Sequence, residues 1–416
     1  MRPVVLTLLG VLAGFPALAA EDEPRVVIAL KEADEQLRAL EPKGVPVHGL
    51  MLHGDIETRL TFDDNVAATA HPVPDRVLTV ATALSATSGP HPWLVKASLG
   101  AEEVRHADNP ALDHRNLTAA ARVSGEGWDR SRAHVELSWA RGHELPGSVD
   151  ALGAAARPVP VDRAVADVAV LARTGRFLAG GTATVARLRH QDVEAVGGGM
   201  IDQRHRDRWE VSLSQRSGVA LTSMLDVFVE ARQELRRYTR LTPLLRIDRS
   251  SLSNDLLIGA AFDMTERMAG EVMWGRSLRQ YAFPLFLPHA ETIYRGAVKI
   301  SLTTLTALSG RAWQSVEETG ALLQAAVIET GWYVGVEHEL LRQLVLTAGG
   351  GRTRRRYLGL VGDLWEEDAT VQVGAEYRVD HRWFVGLDGR WEDRVSAVRD
   401  GGFTRTRMTL RLGARL

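Results

Sequence analysis

The stretch that decides the fold is Phe403 to Leu416, F-T-R-T-R-M-T-L-R-L-G-A-R-L. From Met408 every second residue is apolar: Met408, Leu410, Leu412, Ala414 and Leu416. Thr409, Arg411, Gly413 and Arg415 stand between them. A β-strand sends successive side chains to opposite faces, so this segment has one greasy face and one face bearing arginine. A closed barrel in lipid needs such a last strand, because it must pair with the first and leave no edge. The expectation is an all-β, closed antiparallel transmembrane β-barrel.

The same period of two extends upstream to about Val47. Ile56, Leu60 and Phe62 alternate with Glu57, Arg59 and Thr61, and Val95, Ala97 and Leu99 with Lys96 and Ser98. Val135, Leu137 and Trp139 alternate with His134, Glu136 and Ser138, as do Trp209, Val211 and Leu213 with Arg208, Glu210 and Ser212. Short connections are expected near Ser88–Pro92, Gly127–Arg130, Thr174–Arg176, Ser217–Gly218, Met264–Arg267, Thr304–Thr306, His338–Gln343 and Arg378–Arg382. Longer polar ones fall between them, among them Gly142–Pro160, Arg189–Arg204, Gln233–Ser250 and Arg355–Glu367. Alternating short and long connections mark periplasmic turns and extracellular loops, and the segments number about eighteen strands. Phe62, Trp93, Trp139, Phe177, Trp209, Trp332, Tyr377, Trp383 and Trp391 fall near segment ends, where interfacial aromatic girdles belong.

The N-terminus reads differently. Arg2, the apolar run Val4–Phe15 and the Ala17-Leu18-Ala19 site form a cleavable secretory signal over residues 1–19. Residues 20–45 hold the one helical pattern: Val26, Leu30, Ala33, Leu37 and Leu40 recur at spacings of four and three until Pro42 and Gly44. A periplasmic or lumen-plugging helix and a frayed terminus both fit. Residues 46–416 are expected to form the barrel. No later segment offers enough consecutive apolar residues for a helical span. The chain has no cysteine, which leaves no disulfide framework and no lipidation site after the signal. A net charge of −2 shows no basic excess pointing to nucleic acid.

The run G-L-M-L-H-G-D-I-E-T-R-L-T-F-D-D-N-V (Gly49–Val66) resembles the putative beta-barrel porin 2 family, whose first strand ends in an aromatic-Asp-Asp-Asn-Val run. The likeness resumes over Gly335–Gly349 and over Val373–Ser396, and the middle matches by pattern only. Two features depart from it: the chain ends in Leu416 where many barrels carry an aromatic, and the motifs do not predict the helix. Many members are encoded with exopolysaccharide synthesis and export systems. The resemblance therefore implies a porin-like outer-membrane conduit for a secreted polysaccharide. The partners it implies are outer-membrane lipid and lipopolysaccharide, the barrel assembly machinery, a polysaccharide export protein and the polysaccharide. General diffusion porins and structural or adhesin-like barrels with a closed lumen remain as alternatives.

Charge patterning nominates two sets of residues. Opposite the apolar faces stand Glu57, Arg59, Arg122, Glu136, Arg208, Glu210, Glu230, Arg232, Glu271, Lys299, Arg311, Glu376, Arg390 and Arg411. Facing lipid, each would cost up to about 2–4 kcal/mol, so they are expected to line a wet lumen. Mixed signs fit either a hydrophilic conduit or cross-lumen ion pairs. Arg352, Arg354, Arg355 and Arg356, with Arg236, Arg237 and Arg240 in another loop, are expected on an extracellular basic rim able to bind phosphates or an acidic polymer.

No cofactor, metal or catalysis is expected. Asp63, Asp64 and Asn65 suit a strand-end turn better than a Ca²⁺ loop, since further ligands are missing. Glu337, His338 and Glu339 have no second histidine at ligand spacing. Gly197–Gly199 and Gly349–Gly351 lack the context of phosphate loops. Ser253 and Ser309 lack a partnered His and Asp.

Overall fold

The computed structural model describes residues 44–89, 93–127, 131–146, 155–243, 245–264, 267–319, 323–360, 364–397 and 401–416. The expected signal, and the expected helix as far as residue 43, lie outside the described residues. The barrel begins with β1 (Leu50–Asp63), β2 (Asp75–Ser88), β3 (Trp93–His106), β4 (His114–Glu126), β5 (Arg132–Glu144) and β6 (Val159–Thr174). It continues through β7 (Phe177–His190), β8 (Arg208–Ala220), β9 (Leu225–Tyr238), β10 (Ser251–Met264), β11 (Met268–Tyr281) and β12 (His289–Ser301). It ends with β13 (Thr306–Glu317), β14 (Gln324–Leu341), β15 (Leu344–Gly359), β16 (Trp365–Arg378), β17 (Trp383–Ser396) and β18 (Phe403–Arg415). The short segment Val45–Val47 folds back on Leu50–Leu52 and adds no stave.

Each strand pairs antiparallel with the next, and β18 returns to β1, with Asp55 opposite Arg415 and Asp63 opposite Arg407. Closure pairs the backbone polar groups of every stave, which is what a strand needs in hydrocarbon. The Asp-Asp-Asn-Val run clasps this seam on its long-loop side. Arg405 of β18 donates to both carboxylate oxygens of Asp63, at 3.0 Å from Nε and 2.5 Å from Nη2. The Thr406 N–H donates to Asp64 at 2.6 Å, and Asn65, fully buried, donates to the Thr404 carbonyl at 3.1 Å. Val66 then packs with Val77 and Val104. These oxygens serve the seam.

The closing strand presents Met408, Leu410 and Leu412 outward, 59%, 49% and 52% exposed, beside Phe62 and Leu60 on β1 and Leu387 and Val385 on β17. All nine aromatics expected in girdles are exposed. Trp332 falls mid-strand, because β14 runs 18 residues and overhangs the long-loop rim.

Connections alternate from 2–5 residues at one end to 5–17 at the other. Four boundaries differ from the sequence reading. Ser217 and Gly218 lie within β8, and the turn is residues 221–224. Gly218 is a seat, since a Cβ there would come 2.6 Å from the Cβ of Phe228 on β9. Glu337, His338 and Glu339 lie inside β14, where His338 meets the Thr306 hydroxyl at 2.9 Å, and the turn is residues 342–343. β9 reaches Tyr238 and β15 reaches Gly359, so the expected long loops shrink to residues 239–250 and 360–364. One cause covers the last three. In a barrel with a wet interior, polar residues continue along the strand, so polarity does not mark its end.

Two outcomes test this arrangement. Leu410→Arg places a charge on the lipid face at mid-strand, at about 2–4 kcal/mol; the fast-migrating folded band of unheated samples should vanish, while Leu410→Ala keeps it. Arg405→Ala strands the buried Asp63, a loss of about 3 kcal/mol. The temperature at which the folded band disappears should fall, with partial recovery in Arg405→Lys.

Candidate functional site: the inner wall and its mouth

The residues alternating with the lipid face meet in the interior and pair along the wall. On β1–β4, Arg59 bridges Glu57 at 2.6 Å and Glu102 at 3.1 Å, and Asn116 donates to Glu102 at 2.8 Å. Arg122 stands 3.5 Å from Glu136. On β8–β11, Arg208 pairs with Glu210 at 2.7 Å. Arg216 holds Glu230 at 2.7 Å and Glu271 at 2.8 Å, and Arg232 reaches Glu230 at 3.4 Å. On β16–β18, Arg411 joins Asp388 at 2.5 Å and Glu376 at 3.3 Å, while Arg390 meets Glu392 at 2.6 Å. Each cation sits within three staves of its acid, which removes most of the cost of taking either from bulk water.

Lys299 and Arg311 differ. They sit on adjacent staves, Lys299 opposite Ser309, and make no ion pair among the described residues. Arg311 lies over the rings of Trp313 and Tyr333 at 5.4 and 5.3 Å. Such contacts orient a guanidinium without cancelling its charge.

Bulky inward side chains lie flat over neighbouring glycines. A Cβ at Gly331 would come 2.4 Å from the Trp313 ring, one at Gly349 2.1 Å from the Tyr333 hydroxyl, and one at Gly413 2.2 Å from the Phe384 ring. Glycine–aromatic pairing lets the wall carry large groups without sending them across the bore. Gly349 and Gly351 thus serve packing, as seats for Tyr333. Gly197–Gly199 hold positive φ of 90° to 97° in the turn between Val193–Glu194 and Met200–Ile201, a conformation that glycine adopts freely.

The mouth lies outside every sequence motif. Four long loops fold together at its β5–β14 side. Glu318 accepts from the Tyr238 hydroxyl at 2.7 Å and lies 3.2 Å from Arg236, 3.6 Å from Arg249 and 3.6 Å from Arg279. These arginines come from β9, from residues 239–250 and from β11. Burial pushes the Glu318 carboxyl up, yet Arg236, Arg249, Arg208 and Arg279 outweigh it and hold it below its ordinary value. Ile247, Phe286 and Ala325 cap the cluster. Beside it Arg206 grips Glu144 at 2.5 and 2.8 Å, fixing residues 191–207 to β5. The available signal was Arg236, Arg249 and Arg279, but only folding brings them to one carboxylate.

The expected basic rim divides. Arg236 turns inward to Glu318, Arg237 outward, and Arg240 lies in the loop at 239–250. Arg352, Arg354, Arg355 and Arg356 belong to β15 rather than a loop. Arg355 faces in, held by Glu329 at 2.8 Å and by Asp368, while the other three face out. Glu337–His338–Glu339, Ser253 and Ser309 meet no partners that make a catalytic or metal arrangement among the described residues.

A family model described as putative beta-barrel porin 2 matches residues 38–416. No curated protein matches. Similar solved structures include the ferric-catecholate import receptor Fiu from E. coli K12, at 9% identity over 87% of this chain and 81% of that one, TM-score 0.45. OccK3 (OpdO) of Pseudomonas aeruginosa shares 14% identity over 88% and 95%, TM-score 0.42. The siderophore receptor PirA of Acinetobacter baumannii shares 8% over 88% and 80%, TM-score 0.47. Likenesses this loose say nothing of cargo. The family match covers the whole barrel, and the chain belongs to the putative beta-barrel porin 2 family as a porin-like β-barrel of the outer membrane.

Proposed function

We propose that the barrel is a water-filled conduit for a secreted exopolysaccharide delivered by a periplasmic export apparatus. The observation that carries this reading is the wall itself. Its acids and bases neutralise one another locally, so the bore offers many hydrogen-bonding groups and little fixed field. A neutral or weakly acidic glycan can then exchange weak contacts from stave to stave without a deep trap, as conduction requires. Eighteen staves are enough to enclose water. Lys299 and Arg311, which make no ion pair among the described residues, add a cationic stretch suited to an occasional acidic sugar. Transport of this kind uses no covalent chemistry.

The packed loops at the mouth favour a second reading, a diffusion channel for small solutes. The two separate in cells. Deleting the gene should lower surface polysaccharide, and re-expression should restore it; unchanged export, together with small-solute permeation in vesicles, would favour the diffusion channel.

The mouth gives a pH prediction under either reading. Because the folded-state pKa of Glu318 lies below its unfolded value, the latch that Glu318 forms with Arg236, Arg249 and Arg279 contributes fully above the ordinary carboxylate range. It weakens as pH falls through the depressed value. Cleavage within residues 239–250 by added protease should therefore be slow at neutral pH and faster in acid. Glu318→Gln should show the fast rate already at neutral pH, and a variant indistinguishable from wild type at both pH values would refute the latch.

A further inference from the structure

The outer surface carries two groups of arginines near the long-loop rim, and they differ in how they are neutralised. On β14–β16, Arg352 pairs with Glu367 and Arg356 with Glu291 at 3.3 Å, and Asp393 lies beside Arg352, so two of the three outward cations are held by acids and Arg354 stands between them. On β5–β9 the balance is different. Trp209 stands in register with Arg187 on β7 and Arg237 on β9. The Arg187 guanidinium lies over its ring, 4.9 Å from the centroid. Arg189 is the next outward residue on β7, and Arg141 lies beside Trp139 at 5.9 Å. Two acids adjoin this group. Asp162 is held by Arg141 at 2.8 and 3.0 Å, with Arg189 opposite it beyond ion-pair distance, and Asp207 accepts the His190 N–H at 2.7 Å. Arg187, Arg189 and Arg237 make no ion pair among the described residues.

Position narrows the ligand. Trp139 and Trp209 sit at the long-loop edge of the apolar band, above the exposed Leu137 and Leu213. Arg187 and Arg237 are two strand spacings apart, about 10 Å, so both can reach one headgroup. Interfacial tryptophan, uncompensated guanidinium and an apolar wall below together suit an amphiphile with phosphate at its head. The long loops set this face on the outer leaflet. We propose that the patch of Arg187, Arg189 and Arg237 around Trp209 binds the phosphate groups of a phosphorylated glycolipid of the outer leaflet.

The test uses the full-length barrel in nanodiscs of phosphatidylcholine, with or without a minor fraction of bis-phosphorylated lipid A, and counts retained glycolipid by native mass spectrometry. The triple variant Arg187→Ala, Arg189→Ala, Arg237→Ala should retain it about tenfold less well or worse. The triple variant Arg352→Ala, Arg354→Ala, Arg356→Ala, two of whose cations are already held in ion pairs, should match wild type. Heat-modifiable mobility reports that each barrel is folded; if the first triple is not, the corresponding Arg→Gln triple reads the same difference. Replacing the three arginines by lysine should restore part of the binding. Equal retention by the first triple, equal loss from both triples, or equal binding of dephosphorylated lipid A would overturn the proposal. So would displacement of the lipid by inorganic phosphate at matched concentration, which would mark a free-anion site.

Discussion

The structure depends on one constraint: the last strand must find the first. A sheet of this length in hydrocarbon has no tolerable edge, since every unpaired N–H and C=O would lie in a medium that cannot solvate it. The register of β18 on β1, Leu410 opposite Leu60 and Arg411 opposite Arg59, sets which face of each strand meets lipid and which meets water. The Asp63–Arg405 clasp and the Asn65 hydrogen bonds fix that register at the rim, where a slip would begin. Because the side-chain period is two, a shift by one residue would drive Arg411 into lipid and Leu412 into the bore. The clasp thus acts on specificity as much as on stability.

Inside, the same alternation creates a problem that ion pairing answers. An inward charge with no counterpart would be poorly solvated by a narrow shell of water against a low-dielectric wall. Arg216 shows the solution: one guanidinium serves two carboxylates, Glu230 on β9 and Glu271 on β11, and covers Phe228 at 3.9 Å. Phe228 in turn lies against Gly218 and Gly259. Charge, aromatic and glycine form one unit that keeps the wall thin. Replacing these glycines would push rings toward the axis, so the thinness of the wall rests on residues that carry no chemistry.

The fold was largely legible because a barrel strand has a strong two-residue period, and the final strand shows it without interruption. The inward identity of Glu57, Arg59, Glu230 and Arg411 follows directly from that period. Strand ends were not legible by polarity, and Arg352–Arg356 show why. A run of basic residues looks like a loop, yet Arg355 alternates inward to Glu329 and Asp368 while its neighbours point out. The mouth was not legible at all. Glu318 and Arg249 are 69 positions apart, and nothing local marks either one.

The mouth and the lipid-level patch are built from the same few residues of β8 and β9. Arg208 and Arg236 face inward, toward Glu210 and Glu318, while Trp209 and Arg237, the very next residues, face outward at the membrane edge. Adjacent side chains on one strand therefore read two environments about a strand's thickness apart. The two groups share strands with paired neighbours on both sides, so the two-residue period alone separates the inward cluster from the outward patch.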